Sequence, residues 1–156
     1  MLWQPHKVLV TISLLVMQRI NIMKPSVVVQ EPGPGFHGAS AVHTHMTNTQ
    51  LTDPEILEWH FPVLLEQFSI RPNSGGEGAY KGGDGVIRRL RFLEAMTVNI
   101  ISSHRRIPPY GLQGGSPGRV GHNGVLEELG GCARVEMQID DVLSIETPGG
   151  GGFGKS

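Results

Sequence analysis

An α+β fold, rich in short antiparallel strands and glycine turns with one short helix near residues 53–67, is predicted for this 156-residue chain by three observations. First, 22 Gly and 11 Pro together make about a fifth of the sequence, against a usual share of roughly 12%. At that density no 3.6-residue apolar stripe persists, and each interior Gly costs a helix about 1 kcal/mol relative to Ala, so bundles and coiled coils are excluded. Second, apolar residues alternate with period two between glycine turns after Pro72. Third, one helix start stands out, at Thr52-Asp53-Pro54-Glu55.

The elements follow in order. None of the 22 glycines precedes Gly33, which divides residues 1–32, an apolar and poorly specified segment, from residues 33–156. Before the division, Val8 to Met17 and Ile20 to Met23 are apolar, with Pro5 and Pro25 on either side, and Val27 to Val29 adds a further short strand candidate. Val8 to Met17 follows Lys7 and has the length of a signal-peptide core. It is too short to span a bilayer alone, and no small-residue cleavage site follows before Arg19.

After the division, Gly33 to Gly38 reads as a loop leading into an extended Ser40 to Thr49. There Val42, Thr44 and Met46 share one face, and His43 and His45 the other. Thr52 is the expected N-cap, with Glu55 bonding back to it and Pro54 placed where a missing N–H does no harm. Pro62 limits the helix to Pro54 to His60 plus a continuation through Val63 to Gln67. Val86 to Phe92 and Met96 to Ile101 read as strands paired through a tight Leu93-Glu94-Ala95 connection. In Ala133 to Ile139, the residues Ala133, Val135, Met137 and Ile139 should face inward, and Asp140-Asp141 turns the chain into Val142 to Thr147.

Thirteen Lys and Arg against fourteen Asp and Glu leave a formal charge of -1, so no nucleic-acid partner is expected. No membrane partner is expected either. A single cysteine, Cys132, excludes an internal disulfide and suits a reducing, cytoplasmic setting; between Gly131 and Ala133 it reads as a buried, inert thiol.

His43-Thr44-His45 is the strongest local constellation, because an i, i+2 pair on an extended segment puts both imidazoles on one face. Zinc takes at least three protein ligands, and His37, Asp53, Glu55 and His104 compete for the third place without a diagnostic spacing. Metal ligation, substrate contact with proton transfer, and packing in a polar pocket all remain open for this pair. Asn48, between Thr47 and Thr49, adds short hydrogen-bonding groups suited to orienting a carboxylate or amide, or to holding their own turn. Arg105 and Arg106 offer guanidinium groups for a carboxylate or phosphate, at most one of them facing a given site on a strand. Gly149 to Gly154 offers side-chain-free amides, yet Gly154-Lys155-Ser156 lacks the helix a Walker loop requires.

The run Val42-His43-Thr44-His45-Met46-Thr47-Asn48-Thr49, continued by Leu51 to Glu58, resembles the C-terminal region of the hydantoinase B and 5-oxoprolinase family. Three further blocks agree in order: Arg71-Pro72-Asn73-Ser74-Gly75-Gly76 with Gly82 to Gly85, Pro109 to Gly115 with Pro117-Gly118, and Thr147 to Gly154. The likeness runs from about Gly33 onward. His37 stands where the family pattern has Asp, and Gln50 where it has Arg.

The resemblance implies ATP-dependent opening of a cyclic amide, 5-oxoproline to glutamate or a hydantoin ring, with a link to glutathione metabolism. Phosphorylating the unreactive lactam oxygen creates a group that water can displace. It further implies ATP and a divalent metal in the complete enzyme, a separate ATP-binding A component, and an upstream part of the B component. On this reading residues 33–156 are a C-terminal fragment that is inactive alone. His43, His45 and Asn48 are the implied catalytic residues, and Thr47, Arg105, Gly114 and Gly115 the implied substrate contacts. The alternative is a non-catalytic remnant or assembly module of such an enzyme.

Overall fold

A computed structural model describes residues 13–16, 29–42, 52–125 and 128–155 of the chain. In chain order they form β1 (Ser13–Val16), α1 (Pro54–His60), β2 (Val63–Ile70), β3 (Val86–Phe92), β4 (Met96–Ile101), β5 (His122–Gly124), β6 (Glu128–Leu129), β7 (Cys132–Met137) and β8 (Val142–Glu146). The strands make two antiparallel sheets, ordered β1-β4-β7 and β2-β3-β8-β5-β6. This is the strand-rich α+β architecture expected from the composition. Among the described residues no helix is long and apolar enough to cross a membrane.

Period-two alternation builds one core between the sheets. Leu90 and Phe92 from β3, Val98 and Ile100 from β4, Met137 from β7, and Leu143 and Ile145 from β8 are all buried, with Val63 and Leu57 closing one end. Each such side chain contributes about 1.5–3 kcal/mol on leaving water. Leu57 is the one buried residue of α1, whose remaining faces carry charge or stand exposed.

Four expectations are corrected. The helix is capped by Asp53 rather than Thr52: the Asp53 carboxylate accepts the Glu55 N–H at 2.9 Å. The helix also ends at His60, and Val63 to Gln67 belongs to β2. Phe61, just before Pro62, is pushed to extended φ and ψ of -134° and 142°, because the proline ring crowds a helical neighbour.

β3 and β4 are not paired with each other but lie in different sheets. At the end of β3, Phe92 exchanges bonds with Asp140 and Asp141, and the Leu93 N–H donates to Pro62. With those groups engaged, Leu93-Glu94-Ala95 carries the chain across to the other sheet, as Asp140-Asp141 does between β7 and β8. Finally, Ile139 is 63% exposed rather than inward, since β7 ends at Met137 and the Gln138 N–H is taken by the Asp141 carboxylate at 2.7 Å.

The glycine blocks form neither helix nor sheet. Segments around 74–85, 109–119 and 147–154 run against each other and are cross-bonded through the main chain: Gly76 N–H to Gly150, Gly150 N–H to Gly83, Leu112 N–H to Gly152, Gly152 N–H to Ser116, and Tyr80 with Phe153 in both directions. The backbones touch directly. A Cβ on Gly151 would lie 2.0 Å from the Tyr110 carbonyl oxygen, which is a main-chain atom and cannot turn aside.

Candidate functional site

The segment bearing the histidine pair is entered from a fixed point. Gly38 N–H donates to Lys81 at 2.8 Å, Gln30 N–H to Ala39 at 3.1 Å, and Asp84 N–H to the Ser40 hydroxyl at 2.8 Å. The chain therefore reaches Val42 braced against the Lys81–Asp84 segment, and on the far side of the histidine segment Asp53 caps α1. His43, His45, Thr47, Asn48 and Gln50 lie between these anchors, outside the described residues, and so does the expected same-side projection of the two imidazoles.

The rival third ligands are engaged separately. His37 Nδ1 accepts the Lys81 N–H at 3.0 Å and its ring sits edge-on to Tyr80 at 5.7 Å. Asp53 caps α1. His104 Nδ1 lies 3.0 Å from the Ile107 carbonyl oxygen, at a residue whose φ of 54° suits a tight bend. Among the described residues no three His, Cys, Asp or Glu side chains are grouped to hold a metal ion.

Arg105 stands on an irregular bend after β4, not on a strand. Its Nη1 donates to the Ser103 carbonyl at 2.9 Å and its Nη2 to Asn123 Oδ1 at 3.0 Å, whereas its buried Nε has no partner. Burial first, and the nearby Arg71 guanidinium second, push its pKa down to about 10, so it remains a cation at neutral pH. Asn123, on β5 and 1% exposed, completes the network by donating to the Ser102 hydroxyl at 2.9 Å.

Arg71 binds the Val120 carbonyl at 2.7 Å and the Glu146 carboxylate at 2.9 Å. Beside these groups lies an open concavity of about 280 Å³ lined by His122, Asn123, Gly124, Glu128, Ser144 and Glu146.

Gly114 and Gly115 occupy a tight turn. Gln113 and Gly114 have φ of 50° and 92°, and the Gly115 N–H closes the turn on Leu112 at 3.0 Å. The Gly115 amide is thus committed within the chain, and the Lys155 stem lies over Gly114. Gly149, Gly150, Gly152 and Gly154 likewise donate their amides to main-chain carbonyls. The tail is a close-packed segment of the glycine layer, and these four amides are not free to bind an anion. Cys132, expected to be buried, is exposed on β7, because its neighbours in the alternation, Ala133 and Val135, take the inward side.

Sequence reasoning missed Arg71, Asn123, Ser74 and Thr147 as organising residues. The fully buried Ser74 hydroxyl donates to Arg71 and accepts from the Gly85 N–H, and Thr147 Oγ1 accepts the Val86 N–H at 2.7 Å. The available signal was position: Arg71, Ser74 and Thr147 each open or sit within a glycine block.

Geometry defines the class first: a two-sheet α+β lobe with polar groups on β5, β6, β8 and the adjoining loops, beside a layer of glycine backbone contacts. The family model for hydantoinase B/oxoprolinase matches residues 21–156, and the chain belongs to that family. It is 46% identical over 130 residues to 5-oxoprolinase 1 of Arabidopsis thaliana and 45% identical over 129 residues to 5-oxoprolinase of Dictyostelium discoideum. These alignments cover 80% and 79% of this chain but 10% of each relative, so the chain spans about a tenth of the length of these proteins. The ATP-dependent caprolactamase from Pseudomonas jessenii shares the fold, with a TM-score of 0.77 at 21% identity over 96% of this chain and 29% of that one.

Proposed function

We propose that this chain supplies part of the amide-opening centre of an ATP-dependent cyclic-amide hydrolase of the oxoprolinase or hydantoinase kind, working in the cytoplasm. One observation carries the reading: the family match extends over residues 21–156, including the histidine segment and all three glycine blocks. In this role His43 and His45 handle the proton of the attacking water, Asn48 and Thr47 orient the amide, and Arg105 holds a substrate carboxylate through a charge-assisted bond. Gly114 and Gly115 complete the proposed substrate contacts from the turn they form with Leu112.

ATP activates the lactam oxygen in such enzymes, but the described residues do not fit it here. The glycine amides that would cradle a phosphate bond instead to neighbouring carbonyls, and no metal-ligating group of three is present among the described residues. The proposed partners are the ATP-binding A component and the upstream part of the B component, with ATP and a divalent metal as cofactors of the complete enzyme.

The test is a graft. The matching region of Arabidopsis thaliana 5-oxoprolinase 1 is replaced by this chain, and 5-oxoproline-dependent ATP hydrolysis is measured. Turnover that His43→Ala or His45→Ala lowers about a hundredfold supports the roles given. A folded but inactive chimera, or one indifferent to both substitutions, assigns the chain to a non-catalytic role. The isolated chain should show no turnover above buffer.

A further inference from the structure

On β3 the inward face carries Val86, Arg88, Leu90 and Phe92, so a guanidinium occupies a row otherwise filled by core residues. Arg88 is only 9% exposed, its Nε is buried without a hydrogen-bond partner, and burial pushes its pKa below the ordinary value. A buried cationic donor left unpaired is costly, and folded proteins normally supply its counterpart.

The surface next to it is unfinished. Among the described residues β2 is an edge of the five-stranded sheet, and an irregularity between Leu65 and Gln67 shifts its alternation. Beyond that shift, Phe68 pairs with Arg88 and Ile70 with Val86, which puts both apolar side chains on the inward face. They are nevertheless 42% and 50% exposed. At the other end of the strand the Leu65 N–H is satisfied by the Glu58 carboxylate at 2.8 Å and Val63 is buried. The same face is thus covered beside α1 and open beside Arg88.

We propose that the open end of this face, formed by Phe68, Ile70 and Arg88, is a docking surface for an extended protein segment that carries apolar residues and one carboxylate, the carboxylate pairing with Arg88. Charge complementarity selects the acid, and the exposed aromatic and aliphatic groups select its apolar neighbours. An edge strand beside uncovered apolar groups is a usual site for strand addition. The occupant is a segment of the additional polypeptide that makes the relatives about ten times longer than their match to this chain. This inference stands apart from the catalytic reading, because it uses none of the proposed catalytic or substrate-contacting residues.

Two measurements on the full chain decide it. Random dodecapeptides displayed on phage are panned against the chain and its Arg88→Met form. Recovered peptides should combine alternating apolar residues with an Asp or Glu, and should bind the Arg88→Met form at least about tenfold more weakly. Phe68→Ser should weaken them as well. In the absence of peptide, Arg88→Met should raise the thermal midpoint, since an unpaired buried charge gives way to an apolar side chain of similar length.

Peptides without an acid, peptides indifferent to Arg88→Met, or no recovered peptide would overturn the proposal. So would a lowered midpoint, which would show that Arg88 is already paired within the chain. A concentration-dependent dimer of the chain that Phe68→Ser dissociates would give the face to a second copy and overturn the choice of occupant.

Discussion

The side-chain core between the sheets and the glycine layer beside it are both tightly packed, but they fail in opposite ways. In the core, Phe92, Leu143 and Ile145 exclude water with their own bulk, so removing atoms is what does harm. In the layer, the main chains of Gly151 and Tyr110 meet with no side chain between them, so adding a single atom does harm. The first region tolerates conservative exchange of apolar residues, and the second tolerates none at its contact points. A family signature made of glycines is what the second kind of packing leaves in a sequence.

That comparison can be broken. The largest effect is expected for Gly151→Ala, whose new methyl must displace main chain. We expect a loss above about 4 kcal/mol, seen as failure to accumulate soluble chain or as collapse of the guanidinium unfolding midpoint. Next comes Leu143→Ala, which should cost about 2–5 kcal/mol in urea unfolding through its residual cavity. If the alanine at 151 proves milder than the alanine at 143, the contrast between the regions is wrong.

Thr147→Val joins the two regions, because Thr147 closes the layer while its hydroxyl serves the first amide of β3. Losing that buried acceptor should cost about 1–3 kcal/mol. Asp53→Ala should cost about 1 kcal/mol, read from thermal unfolding, and Asp53→Asn much less. Ile139→Ser, on the exposed turn, should stay within about 0.5 kcal/mol of the parent chain.

Much of the core was legible because alternation is a local property. Val98 and Ile100 on β4, and Met137 on β7, fall where period two puts them. Pairing was less legible: Leu93-Glu94-Ala95 has the length of a hairpin, yet the partners that Phe92 and Leu93 find, Asp141 and Pro62, are distant in sequence. The helix end was missed for a related reason. Val63 to Gln67 suits either structure, and the restriction that Pro62 places on Phe61 decides between them.

In the candidate site, Arg105 and the glycine blocks were visible as residue types, but their roles depend on who bonds to whom. Gly115 offered an amide in the sequence and spends it on Leu112 in the fold. Asn123, with no motif around it, gave no signal at all.

The cross-bonding of the glycine layer also bears on how quickly the chain reaches its native state. Its bonds join Gly76 to Gly150, Tyr80 to Phe153, and Ser74 to Arg119, loops comparable to the one closed between Ile87 of β3 and Glu146 of β8, but with no apolar row to reward the closure. Glycine widens the ensemble that must be searched, since it is the residue with most freedom to lose. The two sheets can form around their apolar rows while the layer is still open, which makes its closure a late and slow event. Refolding followed by pulsed hydrogen–deuterium exchange should therefore protect β3 and β8 early, and Gly76, Tyr80 and Gly150 last.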